Sequence, residues 1–72
     1  MQKYRTGASV EWKWGKGKGT GKIRQSFTDD VERTIEGAVI KRKASPEEPA
    51  YLIEQEDGGR VLMSHSELHR HG

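Results

Sequence analysis

Five basic side chains and one indole crowd a short stretch of this chain: Lys13, Trp14, Lys16, Lys18, Lys22 and Arg24. Ammonium and guanidinium groups pair with phosphates, and an indole stacks on a base, so the combination points to nucleic-acid binding. One stacked base is worth about 1–3 kcal/mol, enough for a single exposed tryptophan to matter. Lys41, Arg42 and Lys43 form a second basic cluster that would extend the patch. The competing reading is a solvated, solubilising loop. Gly15, Gly17, Gly19 and Gly21 alternate with Lys16, Lys18 and Thr20, which invites comparison with a phosphate-binding loop. No G-x-x-x-x-G-K-[ST] register fits, and no helix follows to offer its N-terminus.

Other chemistry has less support. His65, His69 and His71 stand near one end of the sequence, and a helix would put His65 and His69 on one face. A structural zinc site wants four ligands, and there is no cysteine to help. Surface histidines are the simpler reading, and no metal or other cofactor is expected. Asp29-Asp30 and Glu47-Glu48 fall in loop-like segments and are expected to face water. Nothing marks an activated nucleophile or a positioned base, so no enzyme activity is expected.

The 72 residues carry 31% hydrophobic and 33% charged side chains, close to the composition of disordered chains. Two tryptophans, two tyrosines and one phenylalanine argue for a fold, since each aromatic buries about 150–250 Å². One domain spanning residues 1–72 is the expectation. Absence of cysteine rules out a disulfide staple. No apolar run reaches the ~18–20 residues of a membrane-spanning helix, and the first residues lack a signal-peptide core. A soluble, cytoplasmic monomer is therefore expected, with no membrane contact. Net charge is only +2, yet residues 1–24 hold seven basic side chains against Glu11, a balance of +6. Residues 25–72 carry −4.

The elements that would position these groups are short strands. Val10, Trp12 and Trp14 alternate with Glu11 and Lys13, the period of a half-buried strand. Gly15 to Gly21 reads as a mobile loop, because glycine-rich segments have high backbone entropy. A second strand is expected from about Gly21 or Lys22 through Ile23 toward Phe27. Arg33 to Lys43 reads as strand, turn and strand around Glu36-Gly37, with Val31 and Ile35 pairing across to Val39. Pro46 and Pro49 mark a loop. Tyr51 to Gln55 and Arg60 to Ser64 are two more strands, joined at Asp57-Gly58-Gly59. Ser64 to Glu67 matches a capping box, so one helical turn is expected to hold Leu68 against the end of a barrel. Tyr4 is expected to cover one barrel end, and Gly7 to turn the chain. About five antiparallel strands at this length describe an all-β, SH3-like barrel with a short C-terminal helical turn.

Several motifs carry a family resemblance. They are Gly7 with V-x-W at Val10 to Trp12, Gly21-Lys22-Ile23, T-I-E-G at Thr34 to Gly37, A-S-P-E-E-P-A-Y at Ala44 to Tyr51, E-Q-E-D-G at Glu54 to Gly58, and H-S-E-L at His65 to Leu68. In this order they resemble the hypervirulence-associated protein Tudor-domain family of bacteria and fungi. Ala8-Ser9 departs from it, since an acidic residue usually follows the glycine. The resemblance implies a Tudor-like, SH3-type barrel standing alone as a whole protein, with no established enzyme activity. It also implies that Trp12, Trp14, Phe27 and Tyr51 could wall an aromatic cage for methylated lysine or arginine, by cation–π attraction of about 0.5–2 kcal/mol per contact. The simpler account of these four is that they are the core. The function expected is a non-catalytic binding module, meeting nucleic acid through the glycine-lysine segment. The alternative is a protein or peptide adaptor using its aromatics or a strand edge.

Overall fold

Trp12 sets the geometry of the first hairpin. In the computed structural model, which describes residues 3–70 apart from the side chain of Trp14, β1 (Ser9–Trp14) pairs antiparallel with β2 (Gly17–Phe27). Val10, Trp12 and Trp14 pair with Gly21, Gly19 and Gly17 in turn. Paired residues share a face, so Gly21 and Gly19 lie on the same face as Val10 and Trp12, and Lys18, Thr20 and Lys22 lie on the other.

The expected mobile loop is thus a strand, and only Gly15 and Lys16 form the turn. The physical reason is close approach. A Cβ on Gly19 would land 2.6 Å from the Trp12 indole Nε1, and closer still to Cε2 and Cζ2. One on Gly21 would land 2.6 Å from the Glu54 carbonyl oxygen and 2.7 Å from Ile53 Cγ2. These glycines clear space for their neighbours. Entropy favours a loop, but burial of Trp12, 4% exposed, and the ladder to β1 outweigh it.

β2 is long enough, at 11 residues, to serve two partners. Its first half pairs with β1, and Gly21 to Phe27 pair with β5 (Ala50–Gln55). The register slips between Ile23 and Gln25, leaving Arg24 as the extra residue of a bulge. A bulge bends its strand and increases twist, which lets a small sheet curl. β6 (Arg60–Ser64) continues from β5, and β7 (His69–Arg70) adds to the far side of β1. The sheet order is β6-β5-β2-β1-β7.

β3 (Val31–Ile35) and β4 (Ala38–Arg42) form a separate two-stranded sheet. Glu36 and Gly37 both have positive φ, 51° and 82°, as a tight two-residue hairpin turn requires. That turn fixes the register and corrects the expected pairing. Val39 faces Thr34 and is 58% exposed, whereas Ile40, opposite Arg33, is the residue that packs inward.

Two apolar clusters result. Val10, Trp12, Ile23, Tyr51, Ile53 and Leu68 form one, and Val31, Ala50 and Leu62 the other. The alternation of β6 serves both, with Val61 and Met63 packed on the first cluster and Leu62 in the second. A 3-10 turn (His65–Glu67) follows β6, and Glu67 Oε2 accepts the Ser64 backbone N–H at 2.7 Å. The turn delivers Leu68 into the first cluster, as its capping residues imply. The whole is a small all-β barrel of the SH3-like kind with a short C-terminal helical turn. No helix among the described residues is long and apolar enough to cross a membrane.

Candidate functional site

The β1–β2 ribbon determines where the basic side chains go. Lys13 sits directly opposite Lys18, Ser9 opposite Lys22, and Glu11 opposite Thr20. The three lysines therefore share one face, and all three are exposed. Glu11 stands among them, and its carboxylate lies 3.3 Å from Lys18 Nζ. Arg24, at the bulge, reaches Glu54 Oε1 at 3.5 Å. Both are solvent-exposed pairs of the kind worth about 0–1 kcal/mol, so either cation can be drawn to a better anion. Lys13, Lys16 and Lys22 form no ion pair among the described residues. Lys16 lies in the turn, at the end of the ribbon.

Of the six residues singled out from sequence, the structure thus brings Lys13, Lys18, Lys22 and Arg24 to one region and puts Lys16 at its tip. Trp14 ends β1 opposite Gly17, and its side chain lies outside the described residues. A polar hollow of about 340 Å³ opens beside Lys22, walled by Ser9, Thr20, Glu54 and Glu56. Lys41, Arg42 and Lys43 do not extend this face. Lys41 and Arg42 end β4 and Lys43 follows it, and the β3–β4 hairpin packs on β6, which β5 and β2 separate from β1 in the sheet order. There Lys41 pairs with Glu32 at 3.4 Å and Arg42 with Glu67 at 3.4 Å.

The aromatic residues are divided between the two clusters. Trp12 and Tyr51, 4% and 0% exposed, belong to the first. Phe27 is half-buried against the second, with the Arg33 guanidinium 4.7 Å from its ring centre.

One polar group was missed from the sequence. His65 is buried, so the expectation of a surface histidine is corrected. The Tyr4 backbone N–H donates to Tyr51 Oη at 3.2 Å, and Tyr51 Oη lies 3.1 Å from His65 Nδ1. A phenol oxygen can both accept and donate, so which of Tyr51 and His65 gives the proton in their shared bond is set by the imidazole tautomer. Tyr4 Oη donates to the Leu68 carbonyl at 3.2 Å, and the Tyr4 ring packs edge-on to Tyr51 at 5.7 Å. Burial raises the Tyr51 hydroxyl above the ordinary value of 10.0, against an opposing hydrogen bond from the Tyr4 backbone and with a smaller push from the Tyr4 side chain. These three groups tie the segment before β1 to the turn after β6. Tyr4 and Tyr51 are 47 residues apart, and no local pattern links them.

His69 lies on β7 beyond the 3-10 turn, so no shared helical face brings it to His65, and His71 lies outside the described residues. Among the described residues no three His, Cys, Asp or Glu side chains are placed to hold a metal ion.

Comparison with curated proteins and with solved structures finds no match to the chain. The family model described as "Hypervirulence associated proteins TUDOR domain" matches residues 7–68, from the turn before β1 to the buried Leu68. With nearly the whole barrel inside that match, the chain belongs to the hypervirulence-associated Tudor-domain family.

Proposed function

We propose that this domain is a non-catalytic binding module whose β1–β2 face meets the phosphate backbone of nucleic acid. The observation that carries the reading is the Lys13–Lys18 cross-strand pair, with Lys22 further along the same face. Like charges directly opposite each other cost stability; Glu11 offsets part of that cost at Lys18, and a phosphate beside the pair offsets more of it. Ser9 and Thr20 add hydroxyl donors to the face. Pairing to β1 holds the lysines of β2 on an ordered strand, so less side-chain and backbone freedom is lost on binding than from a mobile loop. The face is open rather than enclosed, which suits a polymer better than a small molecule. Phosphate contacts position without reading sequence, so binding is expected to tolerate sequence and weaken with salt.

The experiment is a titration of fluorescein-labelled oligothymidylate at low salt, read by anisotropy. Replacing Lys13 and Lys18 together by alanine should weaken binding by about tenfold or more while leaving the circular dichroism unchanged. Absence of binding by the unaltered protein, or equal binding by the variant, would remove the reading.

A further inference from the structure

Two hollows, of about 270 Å³ and about 290 Å³, flank Arg60 and share Ile35, Glu36 and Arg60 as walls. Together they make a trough between the tip of the β3–β4 hairpin and β6. Ile35 and Ile40 line it from the hairpin, and Leu62 and Met63 from β6. β6 is an outer strand of its sheet, and among the described residues its only strand partner is β5. The hairpin packs against β6 but belongs to a different sheet. The trough therefore runs alongside a sheet edge, where extended segments of partner proteins commonly dock.

Its charge is one-sided. Arg33, Arg42 and Arg60 line it against the single carboxylate of Glu36. Arg33 is engaged with Phe27 and the Glu32 carbonyl, and Arg42 with Glu67. Arg60 is exposed and forms no ion pair among the described residues. An apolar floor under a basic rim is complementary to a segment that alternates apolar and acidic side chains, the two faces of an extended chain. We propose that this trough binds an extended acidic segment of a partner protein, its apolar side chains on Ile35 and Ile40 and a carboxylate on Arg60. The site lies along β6, which β5 and β2 separate from β1 in the sheet order, and does not depend on the lysine face.

The test uses the full chain labelled with nitrogen-15 and a capped peptide alternating valine and glutamate. A peptide with lysine in place of glutamate is the control. The proposal expects saturable amide shifts at Ile35, Ala38 to Ile40 and Arg60 to Met63, none with the lysine peptide, and affinity lowered about tenfold or more by Arg60→Glu. Shifts centred on Lys13, Lys18 and Lys22, no shifts at all, or binding indifferent to Arg60→Glu would overturn it.

Discussion

The Trp12 indole lies over Gly19, its cross-strand partner, at a distance that leaves no room for a side chain on that residue. This contact turns a glycine-lysine run into a strand, and with it fixes the direction of every lysine on β2. Gly19→Ala should therefore destabilise by about 1–3 kcal/mol through overpacking. Gly15→Ala, at the turn, meets open space but a φ of 49°, and should cost about 1–2 kcal/mol. Gly19→Val should cost clearly more than Gly19→Ala, and Gly15→Asn less than Gly15→Ala. Urea unfolding of the four variants checks both orders. A mobile segment would show no dependence on side-chain size at residue 19.

Tyr51 joins Tyr4 to His65 through one hydroxyl. Tyr51→Phe keeps the ring and removes the link, leaving the Tyr4 amide without that acceptor. A loss of about 1–3 kcal/mol is expected from the midpoint of chemical unfolding at neutral pH.

The same hydroxyl shapes the alkaline limb of stability. Its proton is held more tightly folded than unfolded, because burial penalises the phenolate. The stabilisation is therefore fully present below the ordinary value of 10.0 and declines as pH rises above it, through the folded value. Unfolding midpoints measured across that range should fall with pH, and Tyr51→Phe should flatten the slope. An equal slope in both proteins would contradict the assignment.

Glu36 occupies the left-handed region at φ 51°, where a glutamate is strained and asparagine is at ease. Glu36→Asn should stabilise by about 0.5–1 kcal/mol without changing the register of the hairpin. Thermal melts of the two proteins decide this.

Much of the barrel was legible in short-range pattern. The alternation at Val10 to Trp14, the Glu36-Gly37 and Asp57-Gly58-Gly59 turns, and the capping box at Ser64 to Glu67 each act over a few residues and lie where local chemistry puts them. The basic residues of the candidate site were legible as types, but their convergence was not. It depends on Gly19 and Gly21 sharing a face with Trp12 and Val10. A period of two was present in both segments. Glycine's entropy masked it, because the reason for glycine is a neighbour on another strand: Trp12, seven residues earlier, for Gly19, and Ile53 and Glu54, more than 30 residues later, for Gly21. Val39 was misplaced because the turn, rather than hydrophobicity, sets the register. His65 was misread because its partners Tyr4 and Tyr51 are distant in sequence.

The most direct test of the lysine face is the salt dependence of oligothymidylate binding, as the slope of log affinity against log salt. Each lysine that neutralises a phosphate contributes roughly 0.7 to that slope on a single strand. Lys13→Ala, Lys18→Ala and Lys22→Ala should each make it shallower by about that amount, whereas Lys41→Ala, on the β3–β4 hairpin, should leave it unchanged. A slope that ignores the three ribbon lysines, or responds equally to Lys41, would contradict the account.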